Sequence, residues 1–316
     1  MKHLLTIILA ALLIAAMACQ RGTAPLSGQP TVALILKTLN NPFFIDMQKG
    51  AEEASGKLGV NLIVQAAERE VDVEKQMQII ENLIQTKVSA LCITPSGSKE
   101  VVPAIVKANQ AGIPVIIVDT RVDPAALQAA NGKIAAFVGS DNLAGGRVAG
   151  DFIAQKLGGT GKVAVLEGIP GHETGDMRLK GFREVIASHP GMQIVSSQTA
   201  NWERDQGFNV FQNMLQAHPE IQALFACSDL MALGAVEAIA AAGKTGKITV
   251  VGFDAFSEAR DAVNKGTMAA TIAQSPSEMG RIAVENAVKV LKGETIKSDI
   301  SLGVSLVTAQ NTAAKQ

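Results

Sequence analysis

The residues best suited to ligand chemistry in this chain stand where an apolar run ends. Residues 38–44, T-L-N-N-P-F-F, follow closely on the apolar run 32–36 and place the amide of Asn41 beside the rings of Phe43 and Phe44. Rings and amides together suit a sugar, because its C–H faces stack on flat apolar surfaces and its hydroxyls need directional hydrogen-bond partners. The alternative, that both rings are simply the first core residues of a helix, is equally compatible with this segment.

More polar side chains follow other apolar runs at the same relative position. They are Thr94, Asp119, Thr120, Arg121, Ser228, Asp229, Asp254 and Gln274. In open α/β sheets, ligands bind outside the carboxyl ends of the strands. We therefore interpret Asp119 and Asp254 as ligand contacts that accept hydrogen bonds from hydroxyls. Asp229 directly precedes a predicted helix, and we interpret it as a cap of that helix rather than a ligand contact.

Two further side chains are candidates with an ordinary structural alternative. Arg178 lies in a predicted helix over residues 173–188, where a surface position would leave it a solvated charge. Trp202 follows a short strand and a turn. As the only tryptophan of the chain, it is either a packing residue or a ring that stacks on a sugar face.

These residues need a scaffold of strands and helices, and the pattern predicts one. The predicted strands are 32–36, 61–65, 90–93, 115–118, 135–138, 163–166, 193–195, 223–226, 249–251 and 269–272. Helical patterns such as 73–85 lie between them, so parallel sheets covered on both faces are expected. About ten strands exceed what one compact sheet usually holds, which favours two doubly wound α/β lobes. Passages between the lobes are expected near residues 140–141, 274–277 and 305–308.

The composition argues against several function classes. The net charge is −1 and no run of like charge occurs, so no nucleic-acid partner is expected. Cys92 and Cys227 both lie inside apolar runs, and neither has metal-ligand spacing to a histidine. A nucleophile elbow is also absent. The sequence therefore predicts no metal, no cofactor and no catalysis.

The N-terminus predicts export. Lys2 and His3 precede an apolar stretch over residues 4–16, and Ala16-Met17-Ala18 supplies small residues at the expected cleavage positions before Cys19. We expect residues 1–18 to be a signal peptide and residues 19–30 to be a tether. A cysteine at this place is similar to a bacterial lipoprotein signal with an acylated thiol, although Ala16 stands where a branched apolar residue is usual. Simple secretion is the alternative.

The chain closely resembles the ribose-type periplasmic sugar-binding proteins of ABC transporters over residues 31–309. The motifs that carry the resemblance are T-L-N-N-P-F-F (38–44), G-S-D-N-L-A-G-G (139–146), H-P-E-I-Q-A-L-F-A (218–226), M-A-L-G-A (231–235), V-V-G-F-D (250–254) and A-A-T-I-A-Q (269–274). The resemblance implies an N-terminal lobe of residues 31–140 plus 275–303 and a C-terminal lobe of residues 141–274 plus 304–316. A three-strand hinge would join the lobes, and the ligand would lie in the cleft between them. It also implies a periplasmic or cell-surface protein that delivers its ligand to a membrane permease.

The resemblance assigns a pocket residue by residue. It implies ligand contacts at Asn41, Phe43, Phe44, Asp119, Arg178, Trp202, Asp254 and Gln274. The chain departs from ribose-specific members at Thr94, at Thr120 with Arg121, at Ser228 and at Trp202. Each departure changes the hydrogen bonds or the ring that the pocket can offer. A ribose-like pentose, a hexose such as fructose or allose, and a polyol therefore all stay open.

Three other functions are compatible with some of these features. A sugar hydrolase needs paired carboxylates, for which Asp119 and Asp254 are available. The effector-binding part of a repressor needs a helix-turn-helix ahead of the first strand, where the signal peptide is predicted instead. A ligand carrier for a chemoreceptor or a signal molecule, without a role in transport, is not distinguished by sequence.

Overall fold

The computed structural model describes residues 28–312. The predicted signal peptide, most of the tether and Cys19 lie outside the described residues. Within residues 28–312, no helix is both long enough and apolar enough to cross a membrane.

The described part of the chain contains twelve strands in two sheets of six. The strands are β1 (Thr31–Thr38), β2 (Asn61–Ala67), β3 (Ala90–Ile93), β4 (Val115–Val118), β5 (Ala136–Ser140), β6 (Thr160–Glu167), β7 (Gly191–Thr199), β8 (Ala223–Ala226), β9 (Thr249–Asp254), β10 (Ala270–Ala273), β11 (Asp299–Leu302) and β12 (Ser305–Val307). The first sheet has the order β11-β5-β4-β3-β1-β2 and is parallel throughout. The second has the order β12-β10-β9-β8-β6-β7, and only its edge strand β12 is antiparallel.

Ten helices of the described residues connect these strands. They are α1 (Pro42–Leu58), α2 (Val73–Gln85), α3 (Val102–Gln110), α4 (Pro124–Ala129), α5 (Asn142–Lys156), α6 (Glu173–Ala187), α7 (Arg204–Ala217), α8 (Asp229–Ala241), α9 (Ser257–Asn264) and α10 (Pro276–Leu291). Each sheet with its helices is called a lobe below. The first lobe contains β1–β5, β11, α1–α4 and α10, and the second contains β6–β10, β12 and α5–α9.

The chain passes from one lobe to the other three times. The passages lie between β5 and α5, between β10 and α10, and between β11 and β12. The expected fold class of two doubly wound lobes joined by three crossing segments is confirmed. All ten predicted strands overlap β1–β10, and the last apolar run overlaps β12. Strand β11 was not predicted.

The buried strands show why the first sheet is covered on both faces. Successive side chains of a strand point to opposite faces. Accordingly, Val32, Leu34 and Leu36 of β1 pack in one apolar cluster with α1 and α10, while Ala33 and Ile35 pack in another with α2 and α3. Both faces are apolar, and the strand therefore reads as a continuous apolar run rather than an alternating one.

Local signals at the start of α1 place the aromatic pair at the end of β1. The Asn41 side chain accepts a hydrogen bond from the Phe43 N–H at 3.0 Å and caps the helix. Pro42 occupies the first turn, where its missing N–H costs nothing. The cap and the proline therefore fix the helix start so that Phe43 and Phe44 follow the strand at once.

A close helix pair positions the arginine of the second lobe. A Cβ on Gly146 of α5 would lie 2.0 Å from the carbonyl oxygen of Arg178 on α6, and a Cβ on Gly181 of α6 would lie 2.1 Å from the carbonyl oxygen of Leu143 on α5. Only glycine permits backbones to approach this closely. The reciprocal glycines thus hold α6 against α5, and with it the Arg178 side chain.

Candidate functional site

A small cavity lies between the lobes, where the carboxyl ends of strands from both sheets meet. The lining residues are Lys37, Asn41, Phe43, Phe44, Glu70, Asp119, Thr174, Arg178, Trp202, Ser228, Asp254 and Gln274. Nine of them were predicted from the sequence. Lys37, Glu70 and Thr174 were not.

The first lobe contributes a buried charge cluster. The Lys37 ammonium lies 3.5 Å from an Asp119 carboxylate oxygen and 3.8 Å from a Glu70 carboxylate oxygen. These distances are longer than direct hydrogen bonds, so the ammonium keeps donor capacity toward the cavity. The Asn41 amide donates to the other Glu70 oxygen at 3.0 Å. Burial raises the pKa of Glu70, and the positive charge of Lys37 opposes that shift.

Two phenyl rings form an apolar wall beside this cluster. The rings of Phe43 and Phe44 meet edge to face with centroids 5.2 Å apart, and the Lys37 ammonium lies 5.7 Å from the Phe44 centroid. Both rings belong to the core of the first lobe and also line the cavity. The core and ligand interpretations of these residues are therefore compatible rather than exclusive.

The second lobe contributes a buried guanidinium. Arg178 is 4% exposed and donates to the Asn142 side-chain oxygen at 2.9 Å and to the Cys227 carbonyl oxygen at 2.8 Å. Its guanidinium stacks 3.8 Å from the Phe253 ring centroid and lies 3.7 Å from an Asp254 carboxylate oxygen. These contacts show that Arg178 is a fixed donor at the cavity wall rather than a solvated surface charge.

Asp254 is a second lining carboxylate whose charged form is disfavoured by burial. Burial raises its pKa to about 7, against the opposing charge of Arg178. Its Oδ1 accepts a hydrogen bond from the Gln274 amide at 2.6 Å. Nearby, burial and the charge of Asp254 together raise the pKa of Asp229 well above its ordinary value.

Strained backbone accompanies three of the lining residues. The φ angles of Asp119, Trp202 and Asp254 are 62°, 65° and 120°. Side chains other than glycine adopt such angles rarely and at a cost of ~1–3 kcal/mol, and residues that do so cluster at ligand sites. All three of these side chains line the cavity between the lobes.

Three residues that the sequence also assigned to the ligand do not line this cavity. The Thr94 hydroxyl faces the Met47 sulfur at 3.7 Å inside the first lobe. The Thr120 hydroxyl donates to the Asp119 carboxylate at 2.8 Å and so supports a lining residue from behind.

Arg121 is the third of these residues, and it points away from the cavity. Its guanidinium binds both carboxylate oxygens of Asp299 at 2.7 and 3.0 Å and stacks 3.7 Å from the Phe137 ring centroid. Asp119 lines the cavity, whereas the pairing with Asp299 on the edge strand β11 holds Arg121 away from it.

The interpretation of Asp229 as a helix cap is wrong. The cap of α8 is Ser228, whose hydroxyl accepts from the Met231 N–H at 3.4 Å. Asp229 is the first helical residue, and its carboxylate turns into the lobe to accept from the Thr271 hydroxyl at 2.7 Å and from the Ala255 N–H at 2.6 Å. Asp229 therefore ties α8 to the ends of β9 and β10 instead of capping its own helix.

Contacts across the cleft show that the two lobes are closed on each other. His172 of the second lobe lies 2.8 Å from the Ser96 carbonyl oxygen of the first. At the rim, the Arg69 guanidinium of the first lobe donates to the Glu203 carboxylate of the second at 2.9 Å. The cavity is therefore bounded by both lobes at once, which suits a ligand that is enclosed rather than bound at a surface.

Neither a reactive thiol nor a metal site is found among the described residues. Cys92 and Cys227 are free and buried, and burial raises the pKa of both thiols to about 12, so neither is a nucleophile at neutral pH. No cluster of His, Cys, Asp or Glu within residues 28–312 is arranged to hold a metal ion.

The missed residues carried weak signals. Lys37 directly follows an apolar run, and a lysine is rarely expected to be buried there. Glu70 lies in the polar stretch after β2, where it looks like a solvated charge. The position of both at the carboxyl ends of strands was the one available signal.

Comparisons with known proteins show to which family the chain belongs. A family profile described as a periplasmic binding protein domain matches residues 32–295. The ribose import binding protein RbsB of Escherichia coli (strain K12) is 40% identical over 310 residues, which cover 98% of this chain and 99% of that protein. The D-allose-binding periplasmic protein of the same organism is 38% identical over 269 residues, which cover 84% of this chain and 86% of that protein.

A solved structure extends the comparison to three dimensions. An ABC transporter periplasmic solute-binding protein from Actinobacillus succinogenes 130z, crystallised with bound D-allose, superposes with a TM-score of 0.86. It is 41% identical, and the match covers 90% of this chain and 99% of that chain. By name, all three proteins bind a sugar or a solute, which gives no support to the hydrolase, repressor or chemoreceptor alternatives.

The family profile, the sequence relatives and the solved structure thus all indicate the same family of proteins. The chain belongs to the periplasmic binding protein family, among the extracytoplasmic sugar-binding proteins of ABC transporters, and it is not an enzyme.

Proposed function

We propose that this protein encloses one uncharged monosaccharide between its lobes and presents it to the permease of an ABC transporter. One observation carries the proposal: an aromatic ring from each lobe, Phe44 and Trp202, lines the same cavity as Asp119, Arg178 and Asp254. Rings of this kind stack on the C–H faces of a sugar, while carboxylates and a guanidinium bind its hydroxyls.

We assign the ligand contacts to the residues that line the cavity. From the first lobe these are Lys37, Asn41, Phe43, Phe44, Glu70 and Asp119. From the second lobe and the crossing segment they are Thr174, Arg178, Trp202, Ser228, Asp254 and Gln274. Thr120 supports Asp119 from behind, and Thr94 and Arg121 take no part in binding.

The charges of the lining favour a neutral ligand. Lys37 already faces Asp119 and Glu70, and Arg178 already faces Asp254, so both cations of the lining have carboxylate partners. The lining holds one more acid than base, and burial raises the pKa of Asp254 to about 7 and that of Glu70 above its ordinary value. A sugar acid or sugar phosphate would add negative charge to a buried site in which both cations are already paired with carboxylates.

Closure follows from contacts that both lobes make. A sugar bound to one lobe alone gains little from closure, whereas one that touches both lobes stabilises the closed form by the contacts of the second lobe. The three crossing segments, near residues 140–141, 274–275 and 303–304, are the proposed hinge. With the hinge at these positions, the proposed lobes are residues 31–140 plus 275–303 and residues 141–274 plus 304–316.

Isothermal titration calorimetry with the exported protein tests the proposal. D-Allose and D-ribose are the first sugars to titrate, because the relatives named above bind them, and D-fructose and myo-inositol extend the panel. D-Glucuronate and D-ribose 5-phosphate are the charged controls. We expect at least one neutral sugar to bind with micromolar affinity or better, about −8 kcal/mol, and neither anion to bind. Binding of an anion but no neutral sugar would refute the proposal.

We also propose that Cys19 carries a lipid that keeps the protein at the membrane surface. Support comes from the apolar stretch and the small residues that precede Cys19 in sequence. Mass spectrometry of the N-terminal peptide from membrane-extracted protein should show an acylated Cys19, and Cys19→Ser should release the protein from the membrane fraction. An unmodified N-terminus after cleavage would favour simple secretion.

A further inference from the structure

His172 occupies an unusual position at the start of α6. It is 2% exposed and stands at the N-cap position, yet its side chain caps nothing. Both ring nitrogens are instead engaged: Nε2 lies 2.8 Å from the Ser96 carbonyl oxygen of the first lobe, and Nδ1 lies 3.2 Å from Nε1 of Trp202 in the second. The imidazole therefore connects Trp202, which lines the cavity, to the first lobe.

The partners fix which nitrogen carries the proton. A carbonyl oxygen only accepts, so Nε2 must donate to Ser96. The indole N–H of Trp202 only donates, so Nδ1 must accept. The ring is thus the neutral Nε2–H tautomer, and both of its polar atoms are satisfied. Burial lowers the pKa of His172 to about 3, and the nearby charge of Lys37 acts in the same direction, so this form persists at physiological pH.

The indole of Trp202 has little freedom of its own. A Cβ on Gly168 would lie 1.9 Å from the indole, and a Cβ on Gly175 would lie 3.1 Å from it. These glycines leave a slot that the ring fills, and the φ angle of 65° at Trp202 directs the side chain into that slot. The hydrogen bond to His172 is the polar contact that sets where the indole nitrogen lies.

We propose that His172 is a positioning residue that holds the Trp202 ring for the ligand and ties that ring to closure of the lobes. The inference rests on the proposed sugar-binding function. Because Ser96 belongs to the first lobe and Trp202 to the second, opening of the cleft breaks the contact of His172 with Ser96 and leaves its contact with Trp202 intact. The buried His172–Ser96 hydrogen bond is shielded from water and salt, unlike the exposed Arg69–Glu203 pair at the rim.

Two substitutions separate the two contacts. In His172→Asn, the amide oxygen lies near the position of Nδ1 and can accept from the indole, but the side chain is too short to reach Ser96. His172→Leu removes both contacts and keeps the site apolar. His189→Asn is the matched control, because His189 follows the other end of α6 and its ring contacts only its own lobe, at Val185 and Ser188.

The readouts are tryptophan emission and sugar dissociation. Trp202 is the only tryptophan and the chain has no tyrosine, so its emission reports on this ring alone. In the sugar-free protein, we expect His172→Leu to shift the emission, while His172→Asn and His189→Asn leave it unchanged. In stopped-flow measurements with a sugar that the wild type binds, we expect both His172 variants to release sugar about 5- to 100-fold faster, because a buried carbonyl loses its donor.

The outcomes are decisive in either direction. Wild-type emission in His172→Leu, or dissociation within twofold of wild type in both His172 variants, would overturn the inference. If His172→Leu fails to fold by circular dichroism, the dissociation rate of His172→Asn decides. If the wild type binds no sugar, the proposed function fails, and the sugar-free emission of the variants still decides whether His172 positions Trp202.

Discussion

Replacing Asp254 with asparagine should stabilise the sugar-free protein at alkaline pH and weaken sugar binding at the same time. Asp254 is 7% exposed, and burial raises its pKa to about 7 from an ordinary value of 3.8. Asparagine has nearly the same shape and keeps an oxygen that can accept from the Gln274 amide. The substitution therefore removes the buried charge with little change in packing.

The sign and size of the effect follow from the two pKa values. Because the folded-state pKa lies above the unfolded one, the folded state is favoured by this group below about pH 4, and that contribution is lost as the pH rises through about 7. One pKa unit corresponds to ~1.4 kcal/mol, so the buried carboxylate costs the folded state on the order of 4 kcal/mol at pH 8. We expect Asp254→Asn to be more stable by ~2–4 kcal/mol at pH 8 and by less than about 1 kcal/mol at pH 4.

Sugar binding should change in the opposite direction. Hydrogen bonds to a charged group contribute ~1.5–3 kcal/mol, so loss of the carboxylate should weaken affinity by roughly 10- to 100-fold. Residues at ligand sites often lower the stability of the empty protein and raise its affinity for the ligand, and Asp254 is expected to do both.

The assay is urea unfolding of the sugar-free protein at pH 8 and pH 4, followed by calorimetry with the sugar that binds the wild type. Asp151→Asn is the control, since Asp151 is an exposed carboxylate on α5 and should show no such difference between the two pH values. The reasoning is refuted if Asp254→Asn is no more stable than wild type at pH 8, or if it gains the same stability at both pH values.

Three further changes test how the site is built. Gly146→Ala should cost at least ~1–3 kcal/mol in urea unfolding and weaken sugar binding, since its Cβ would lie 2.0 Å from the Arg178 carbonyl oxygen. Gly56→Ala is the control and should be neutral or stabilising, because the added Cβ meets nothing within 4 Å. Equal losses of stability in both variants would show that the close helix contact is unimportant. Phe44→Ala should abolish most of the sugar-induced rise in melting temperature by removing a stacking face, and a rise as large as that of the wild type would place the sugar elsewhere. Arg121→Ala should leave affinity within about twofold in calorimetry, because Arg121 faces away from the cavity, whereas a tenfold loss would return it to the binding site.

Most of the fold was predictable because its strands are buried on both faces and read as apolar runs. The exception is β11, whose sequence D-I-S-L alternates polar and apolar residues. It lies at the edge of the first sheet, half exposed, and owes its strand structure to pairing with β5 rather than to its own pattern. Such a strand carries no local signal that distinguishes it from a loop.

The site was predictable where a residue directly ends a strand, and less so elsewhere. Asp119, Asp254 and Gln274 follow apolar runs and line the cavity. Arg121 follows the same strand as Asp119, but its guanidinium is held by Asp299 of β11, a strand that the sequence pattern does not reveal. His172 has no sequence signal at all, since its role depends on a contact with a residue 76 positions earlier, on the other lobe.

A crystal structure of the protein with the neutral sugar that binds it most tightly is the most direct test of the central claim. The account predicts one sugar ring between Phe44 and Trp202, with hydroxyls within hydrogen-bond distance of Asp119, Arg178 and Asp254. A sugar bound outside this cavity, or one that contacts a single lobe while the cleft stays open, would contradict it.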